Sequence, residues 1–262
     1  MGFKGLFRFN LAVVNFAGYF RAIQYFITDH YKYVVVKKNR FLIERKKSDV
    51  CYICALGPSL KNVDLAKIKG DTMVVNRFYR TNESHPEFVP TYYLMYDASF
   101  GGKYCSELEK AVDLYSDRGT FFLLNSKFAK LGLQNERLYY LSAFRGLFKG
   151  QNYRIDRIMP SFANVVGVAI GAAMGMGYKK IVLLGCDFNS FASPVSNHCY
   201  KEKDNTRKIE LWFELYRYAL VAHGHNVIND YALEHGIEVV NSTKGSLIDA
   251  YPFKIEEEIY TK

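Results

Sequence analysis

Three residues that interrupt an apolar run have the types and the order that suit phosphate binding. In the stretch YICALGPSLKNVD, residues 52–64, the run ends at Gly57, Pro58 and Ser59. Gly57 allows a sharp turn, Pro58 gives up an amide that would be unpaired anyway, and Ser59 stands at the N-cap of a helix predicted over 60–68. Free amides at such a helix start form an anion site, although an ordinary capped turn explains the same residues.

Four more polar residues stand where a predicted strand ends or a predicted helix begins. Asn76 and Asp97 follow apolar runs, Asn164 precedes a helical stretch, and Asp187 follows the run that ends at Gly185. In a parallel sheet the carboxyl ends of the strands share one edge, and ligands bind there. Each residue alone is explained by turn formation. Together with the Gly-Pro-Ser turn, they predict a nucleotide site.

These residues need a sheet to bring them together, and strand-like and helix-like stretches alternate from residue 50 onward. The predicted strands are 50–55, 72–76, 92–96, 120–124, 138–142, 181–185 and 237–241. The predicted helices are about 60–68, 104–116, 164–177, 206–222 and 226–235. Most of the apolar runs are continuous, which favours strands buried on both faces. The fold class is therefore α/β, a single doubly wound and mostly parallel sheet.

The helix predicted over 164–177 has a face of small residues. This face consists of Gly167, Gly171, Ala172 and Gly175. A face of this kind allows a close approach, which we expect to be made against the sheet.

The positive charge is concentrated at the N-terminus. The chain of 262 residues has a formal net charge of +9, and residues 1–50 hold ten Lys/Arg against three acids. The rest is near neutral, which argues against a nucleic-acid binder. Aromatic residues alternate with the cations over 1–28, which predicts an amphipathic helix on an anionic membrane surface. A helix packed on its own domain or on a partner subunit is the alternative.

This basic arm is predicted to cover residues 1–47 and the main domain residues 48–262. Its longest uncharged run, Phe9 to Phe20, is shorter than the about 20 residues that span a bilayer. The connector at 31–47 contains a β-like patch from Tyr33 to Val36.

The five cysteines are odd in number and scattered along the chain. Cys51 and Cys54 form a C-x-x-C pair inside an apolar run, and no second pair follows. Core positions are therefore favoured over a zinc site, and a reducing cytoplasm fits this pattern.

Taken in order, several stretches resemble the bacterial sialyltransferases of glycosyltransferase family 42 and the broader MptE-like family. They are GPSLKNVD, NRFY, YDAS, NVVGVAIGAAMGMGYKKIVLLGCDF, NHCY and HGIEVVNSTKGSLIDAY, between about residues 50 and 252. The resemblance implies a single Rossmann-like domain with a lid, here at about 188–205. It also implies inverting transfer of a nonulosonic acid from a CMP-activated donor, without a metal or other cofactor.

The resemblance implies a role for each matching residue. Gly57, Pro58 and Ser59 match the turn on the phosphate side of the donor, and Asn76 and Asp97 match residues that contact the nucleotide. Asn164 and the following amide of Val165 match the helix start that faces the donor. Gly185 and Asp187 match residues on the ribose side. The sialyltransferases have Asn at the position of Asp97. These families also show Asn where this chain has Leu56, which removes a polar contact.

An inverting transfer needs a base for the acceptor hydroxyl, and histidine titrates in the right range. His198 is the predicted base, because it lies in a long polar segment after a strand and because NHCY resembles the His-aromatic-Tyr element of the relatives. His225 is the second choice, since the sialyltransferases also have a His before this late helix. Tyr200 is predicted to donate to the leaving phosphate, with Lys201 or Lys203 adding charge.

Two other functions stay open at this point. A pterin pyrophosphokinase-like enzyme would need magnesium and a carboxylate pair, and the sequence has no clear D-x-D. The other is a non-catalytic, membrane-associated component of polysaccharide assembly. The expected partners are a CMP-sugar donor, a glycan or lipid-linked glycan acceptor and, through residues 1–47, an anionic membrane surface. Nucleic acid is not expected, and the resemblance allows a homo-oligomer. The expected location is the cytoplasm, peripherally on the inner face of the membrane.

Overall fold

The computed structural model describes residues 3–146, 152–161, 164–193, 195, 198–201 and 209–260. Nine strands lie within these ranges. They are β1 Val50–Cys54, β2 Asp71–Val75, β3 Tyr92–Met95, β4 Phe121–Asn125, β5 Leu138–Leu141, β6 Ala143–Arg145, β7 Met159–Ser161, β8 Lys180–Leu184 and β9 Glu238–Asn241. The α-helices of the same ranges are α1 Phe3–Ile27, α2 Tyr31–Val36, α3 Cys105–Tyr115, α4 Val165–Gly175 and α5 Leu211–Glu234.

Seven strands form one parallel sheet in the order β5-β4-β3-β2-β1-β8-β9. The chain builds the sheet outward from β1 in one direction through β5, then returns to add β8 and β9 on the other side of β1. This is the doubly wound arrangement, and it confirms the predicted α/β class and all seven predicted strands. The small parallel pair β6–β7 was missed. Strands of three residues are too short to give a periodic signal in the sequence.

The strands are buried on both faces, as their continuous apolar composition predicts. Tyr92 and Tyr93 are adjacent in β3 and point to opposite faces, and both are fully buried. One face of the sheet packs with α4, and the core there also includes residues of α5. The other face packs against α3 and the segment Ile259–Tyr260 near the end of the chain.

Three predicted elements differ in the structure. Residues 58–62 and 65–67 form short 3-10 helices where one α-helix was predicted over 60–68. Residues 211–234 form one continuous helix where two were predicted, so the His223–His225 stretch does not break it. Residues 31–36 are helical, whereas Tyr33 to Val36 was predicted to be β-like. Three consecutive valines favour strands by intrinsic propensity, and packing overrides that preference here.

Two of the four small residues of α4 that were predicted to face the sheet serve a different contact. A Cβ added at Gly171 would lie 2.8 Å from the ring of Tyr153, and one at Gly175 would lie 2.6 Å from the Tyr153 carbonyl oxygen. These two glycines therefore allow the segment at 153–155 to cross the helix closely. They do not serve the approach of the helix to the sheet.

The helix α1 has two apolar faces. Its inner face packs on the domain: Gly18 is buried, Leu11 contacts the core, and the ring of Phe7 meets that of His223 at 5.9 Å. Its outer face is exposed, with Leu6, Phe9, Val13, Phe16, Phe20, Ile23 and Ile27 three or four residues apart. No helix in the described part of the chain has the length and apolarity needed to cross a membrane.

The residues that follow α1 belong to the core. Val36 and Leu42 are fully buried. The side-chain amide of Asn39 donates to the carbonyl oxygens of Tyr140 at 2.6 Å and Ile155 at 2.9 Å. The boundary at residue 47 stays a prediction, but a protein cut there would lose these contacts.

Candidate functional site

A polar cleft of about 490 Å³ opens at the carboxyl edge of the sheet. Residues that follow β2, β3, β4 and β5 line it, and so do the first residues of α4. Four of the residues assigned to the nucleotide from the sequence lie in this cleft: Asn76, Asp97, Asn164 and Val165. The sheet thus brings together side chains that are up to 89 positions apart in the sequence, counted from Asn76 to Val165.

Asn76 has an unusual backbone conformation at the end of β2. Its φ is 44°, in the left-handed region that Asn adopts more easily than most residues. Its side-chain oxygen accepts from the Tyr96 amide at 3.3 Å, and its carbonyl oxygen accepts from the Tyr93 hydroxyl at 2.7 Å. Strained residues held this firmly cluster at ligand sites.

Asn164 caps α4, as predicted. Its side-chain oxygen accepts from the amides of Val166 at 2.8 Å and Gly167 at 3.3 Å. The start of α4, which is the positive end of the helix dipole, therefore lies at the cleft. The exposed Asp97 also makes a local turn contact, since its carboxylate accepts from the Ser99 amide at 2.9 Å.

Sequence reasoning missed several polar residues of the cleft. Ser126 and Ser142 are buried, with their hydroxyl oxygens 2.9 Å apart. Asn125 donates from its side chain to the Tyr96 carbonyl at 2.9 Å. The pair Asn125-Ser126 directly follows a predicted strand, so the signal that identified Asn76 was also available here. Arg217 lies inside a helix and carried no such signal.

The Gly-Pro-Ser turn is built around a carboxylate of the protein itself. Asp187 is buried and accepts from the Ser59 hydroxyl at 2.7 Å and the Ser59 amide at 3.2 Å. The Gly57 amide donates to the Gly185 carbonyl at 2.8 Å. The amides expected to be free for an anion are therefore engaged. The roles of Gly57, Pro58 and Ser59 in nucleotide binding stay predictions, without the free helix amides that motivated them. The roles of Gly185 and Asp187 on the ribose side also stay predictions.

Both glycines at this turn are required by close approach. A Cβ on Gly57 would lie 1.9 Å from an Asp187 carboxylate oxygen. Gly185 has a φ of +65°, and a Cβ there would lie 2.9 Å from the Ala55 carbonyl oxygen. The carboxyl ends of β1 and β8 therefore meet too tightly for any side chain at these positions.

His198 and Tyr200 lie together in the described part of the predicted lid. Their rings stack at 5.1 Å, and the Cys199 amide between them donates to the Leu56 carbonyl at 2.9 Å. The Arg80 guanidinium lies 5.4 Å from the Tyr200 ring. Neither His198 nor Tyr200 is among the described residues that line the cleft. Their catalytic roles stay predictions.

Arg80 belongs to an ion-paired group next to Tyr200. Arg77 and Arg80 both contact the carboxylate of Glu107, at 2.8 Å and 3.1 Å. These contacts hold the pKa of Glu107 below its ordinary value against the effect of burial. Lys201 is exposed, and Lys203 lies outside the described residues.

His225, the second candidate for the base, is fully buried. Its Nδ1 lies 2.9 Å from the Tyr251 hydroxyl, and its ring packs edge-on against Phe188. Burial lowers the pKa of His225 to about 3. An imidazole with this pKa is a weak base, and a buried ring has no access to an acceptor hydroxyl. These facts favour His198 over His225.

The described cysteines form no disulfide, and three of them are buried. Cys51, Cys54 and Cys186 lie in the core, and burial raises the pKa of each thiol. Among the described residues no group of His, Cys, Asp and Glu is arranged to hold a metal ion. That the protein needs no metal stays a prediction.

No family model and no curated protein matches the sequence, but solved structures resemble its fold. The sialyltransferase CstII from Campylobacter jejuni, in complex with cytidine-5'-monophosphate, is similar with a TM-score of 0.50 and 14% identity, over 81% of this chain and 87% of that chain. CstII in complex with CMP-3FNeuAc has a TM-score of 0.49 at 12% identity, over 81% and 88%. The monofunctional alpha-2,3-sialyltransferase Cst-I from Campylobacter jejuni has 0.48 at 11%, over 83% of each chain. The first of these likenesses establishes a sialyltransferase-like fold.

Proposed function

We propose that this protein is an inverting, metal-independent glycosyltransferase that moves a nonulosonic acid of the sialic, pseudaminic or Kdo type from a CMP-activated donor to a cell-surface glycan. One observation carries the proposal: Asn76, Asp97, Asn164 and Val165, assigned to the nucleotide from the sequence alone, line one cleft at the carboxyl edge. Ligands of doubly wound sheets bind at this edge. The likeness of fold to CstII, solved with cytidine-5'-monophosphate, supports the choice of nucleotide.

The proposed reaction forms one bond, breaks one bond and transfers one proton. The acceptor oxygen forms a bond to the anomeric carbon of the sugar, and the bond from that carbon to the phosphate oxygen breaks. CMP leaves with the electron pair of that bond. The proton of the acceptor hydroxyl passes to a base, which we assign to His198, while Tyr200 donates a hydrogen bond to the leaving phosphate.

The charge of the cleft favours this reaction over pyrophosphoryl transfer. A magnesium-dependent pyrophosphokinase holds its metal with carboxylates. The described residues of the cleft include one carboxylate, that of Asp97, and four cationic side chains. A cleft of this composition suits an anionic ligand without a bridging metal.

We also propose that the protein works at the inner face of the cytoplasmic membrane on a lipid-linked acceptor. The outer face of α1 supports this location, because its exposed apolar side chains form a continuous stripe. Trp212, on the first turn of α5, is 68% exposed. Aromatic side chains favour the boundary between lipid headgroups and acyl chains, and basic residues add attraction to anionic lipids.

A thermal-shift screen tests the choice of donor. CMP, CDP, UDP, GDP and ATP are added with magnesium and with a chelator, and we expect CMP to stabilise the protein equally in both conditions. Asn76→Ala should weaken CMP binding by about 1–3 kcal/mol, the cost of losing a polar partner in a desolvated site. Asn226→Ala, on an exposed part of α5, is the matched control.

The same screen can contradict the proposal. Stabilisation by UDP or GDP and not by CMP would show that the donor is wrong. Stabilisation by ATP only with magnesium would favour a pyrophosphokinase. No response to any nucleotide would favour a non-catalytic component of polysaccharide assembly.

A further inference from the structure

Part of the cleft wall comes from helices outside the sheet, and it carries positive charge. Arg21 lies on α1, Arg217 on α5, Lys127 follows β4, and Lys32 lies on α2. The four cations come from four separate segments of the chain. Two of them, Arg21 and Lys32, belong to the basic N-terminal arm, and the tertiary fold brings them together with Lys127 and Arg217 of the main domain.

One of these cations is already neutralised. The Lys32 ammonium is buried, lies 2.5 Å from the Asp29 carboxylate and stands 3.7 Å above the ring of Tyr25. Lys32 therefore fixes the turn between α1 and α2. Its charge is balanced before any ligand arrives.

The other three cations are not balanced in this way. Within the described parts of the chain, Arg21, Lys127 and Arg217 form no salt bridge. Asp97 is the one carboxylate among the described residues that line the cleft, so it is the one negative side chain to set against these three cations. An excess of two positive charges is left in a cleft whose floor is polar, and such a cleft favours an anionic ligand.

The packing of α1 fixes the backbone from which the Arg21 side chain extends. Arg21 lies one turn before Tyr25, which also lines the cleft. The same helix is held by the buried Gly18 on its inner face and by the contact of Phe7 with His223. The guanidinium of Arg21 is thus presented by a packed helix.

We propose that Arg21 and Arg217 bind the anionic groups of the ligand, with Lys127 adding charge, so that α1 is a wall of the binding site. This inference deepens the proposed function and rests on it. A CMP-activated nonulosonic acid carries one charge on its phosphodiester and one on its carboxylate, which matches the excess of two. The planar fork of arginine suits both groups, since it can donate two parallel hydrogen bonds to either.

Titration calorimetry on the full chain tests the inference with three probes: CMP, UMP and inorganic pyrophosphate. The variants are Arg21→Gln and Arg217→Gln, and Arg8→Gln is the matched control, because Arg8 is an exposed arginine of α1 that does not line the cleft. Arg21 and Arg217 are themselves exposed, so neither substitution removes a core contact. We expect each to weaken all three probes by about tenfold, while the control binds as the wild type does.

The outcomes separate the inference from the proposed function. If Arg21→Gln and Arg217→Gln bind every probe as tightly as the wild type does, the inference is overturned, even if CMP binds more tightly than UMP. Equal binding of CMP and UMP, with both weakened by the two substitutions, would support the arginine pair and contradict the CMP donor. A wild-type protein that binds none of the probes would overturn both.

Discussion

At the scale of single residues, Asn76 combines a sequence signal with a backbone signal. Its place after a predicted strand indicated a ligand contact, and its positive φ directs the side chain at the cleft edge while two tyrosines hold it. Asp187 shows the opposite case. Its position after β8 suggested a ligand, yet its carboxylate is used by Ser59. The residue type alone does not distinguish a polar residue that lines the cleft from one whose side chain bonds within the protein.

His198 is the residue on which the proposed chemistry depends. We expect His198→Ala to lower turnover by about 10² to 10⁴, the usual contribution of a general base, and to leave CMP affinity unchanged. Steady-state rates with CMP-sialic acid and calorimetry with CMP measure the two effects. His85→Ala, in a loop, is the control. Full activity of His198→Ala would exclude it as the base.

His225 should make the stability of the protein depend on pH. Its pKa is lowered from 6.5 to about 3 in the folded state, so between these values the unfolded chain binds a proton that the native protein does not. Stability is therefore complete above pH 6.5 and falls as the pH falls towards 3. From pH 7 to pH 5 the loss should be about 2 kcal/mol.

Urea denaturation at the two pH values measures this loss. His225→Gln keeps a polar group near Tyr251 but has no imidazole to titrate. Between pH 7 and pH 5 its free energy of unfolding should therefore fall by about 2 kcal/mol less than that of the wild type. Equal pH dependence in the two proteins would show that the pKa of His225 is not lowered in the native state.

At the scale of elements, apolar periodicity predicted the sheet well and the short helices poorly. Seven apolar runs, most of them continuous, gave seven parallel strands, because burial on both faces leaves a strong compositional signal. The stretch 60–68 has helical spacing, but Val63 and Asp64 have extended backbone within it, and Asp64 caps a second 3-10 turn. The inner face of α1 could not be predicted, because both of its faces are apolar.

The outer face of α1 should decide membrane binding. Phe9→Ser, Phe16→Ser and Ile23→Ser together remove exposed apolar area without touching the inner face, so we expect them to release the protein from anionic liposomes. Salt should weaken wild-type binding only in part, since the apolar contribution is not screened. Substitutions test this better than deletion of 1–47, which would also remove Val36, Asn39 and Leu42 from the core.

Trp212 provides the measurement, because it is the one tryptophan of the chain. Its fluorescence should shift to the blue when anionic liposomes are added, and the triple variant should show no shift. The control is Phe253→Ser, an exposed aromatic residue near the C-terminal end. An unchanged wild-type spectrum, with no sedimentation on liposomes, would contradict the membrane proposal.

At the scale of the whole molecule, the cleft is lined by residues of both the N-terminal arm and the main domain, which were predicted from the sequence as separate parts. Arg21 belongs to the arm and Arg217 to the domain, and both line the same cleft. The exposed apolar side chains of α1 and of the first turns of α5 therefore belong to helices that border the proposed donor site. A protein held to a membrane by these helices would have its site close to a lipid-linked acceptor.

The strand order also has a consequence for synthesis on the ribosome. The central strand β1 pairs with β2 on one side and with β8 on the other, and Val50 is aligned with Lys180, 130 positions later. At 5–20 residues per second this delay is roughly 10 s, during which one edge of β1 has no partner. A nascent chain with an open, apolar strand edge is prone to aggregation. We therefore expect chaperones to be needed until β8 has emerged.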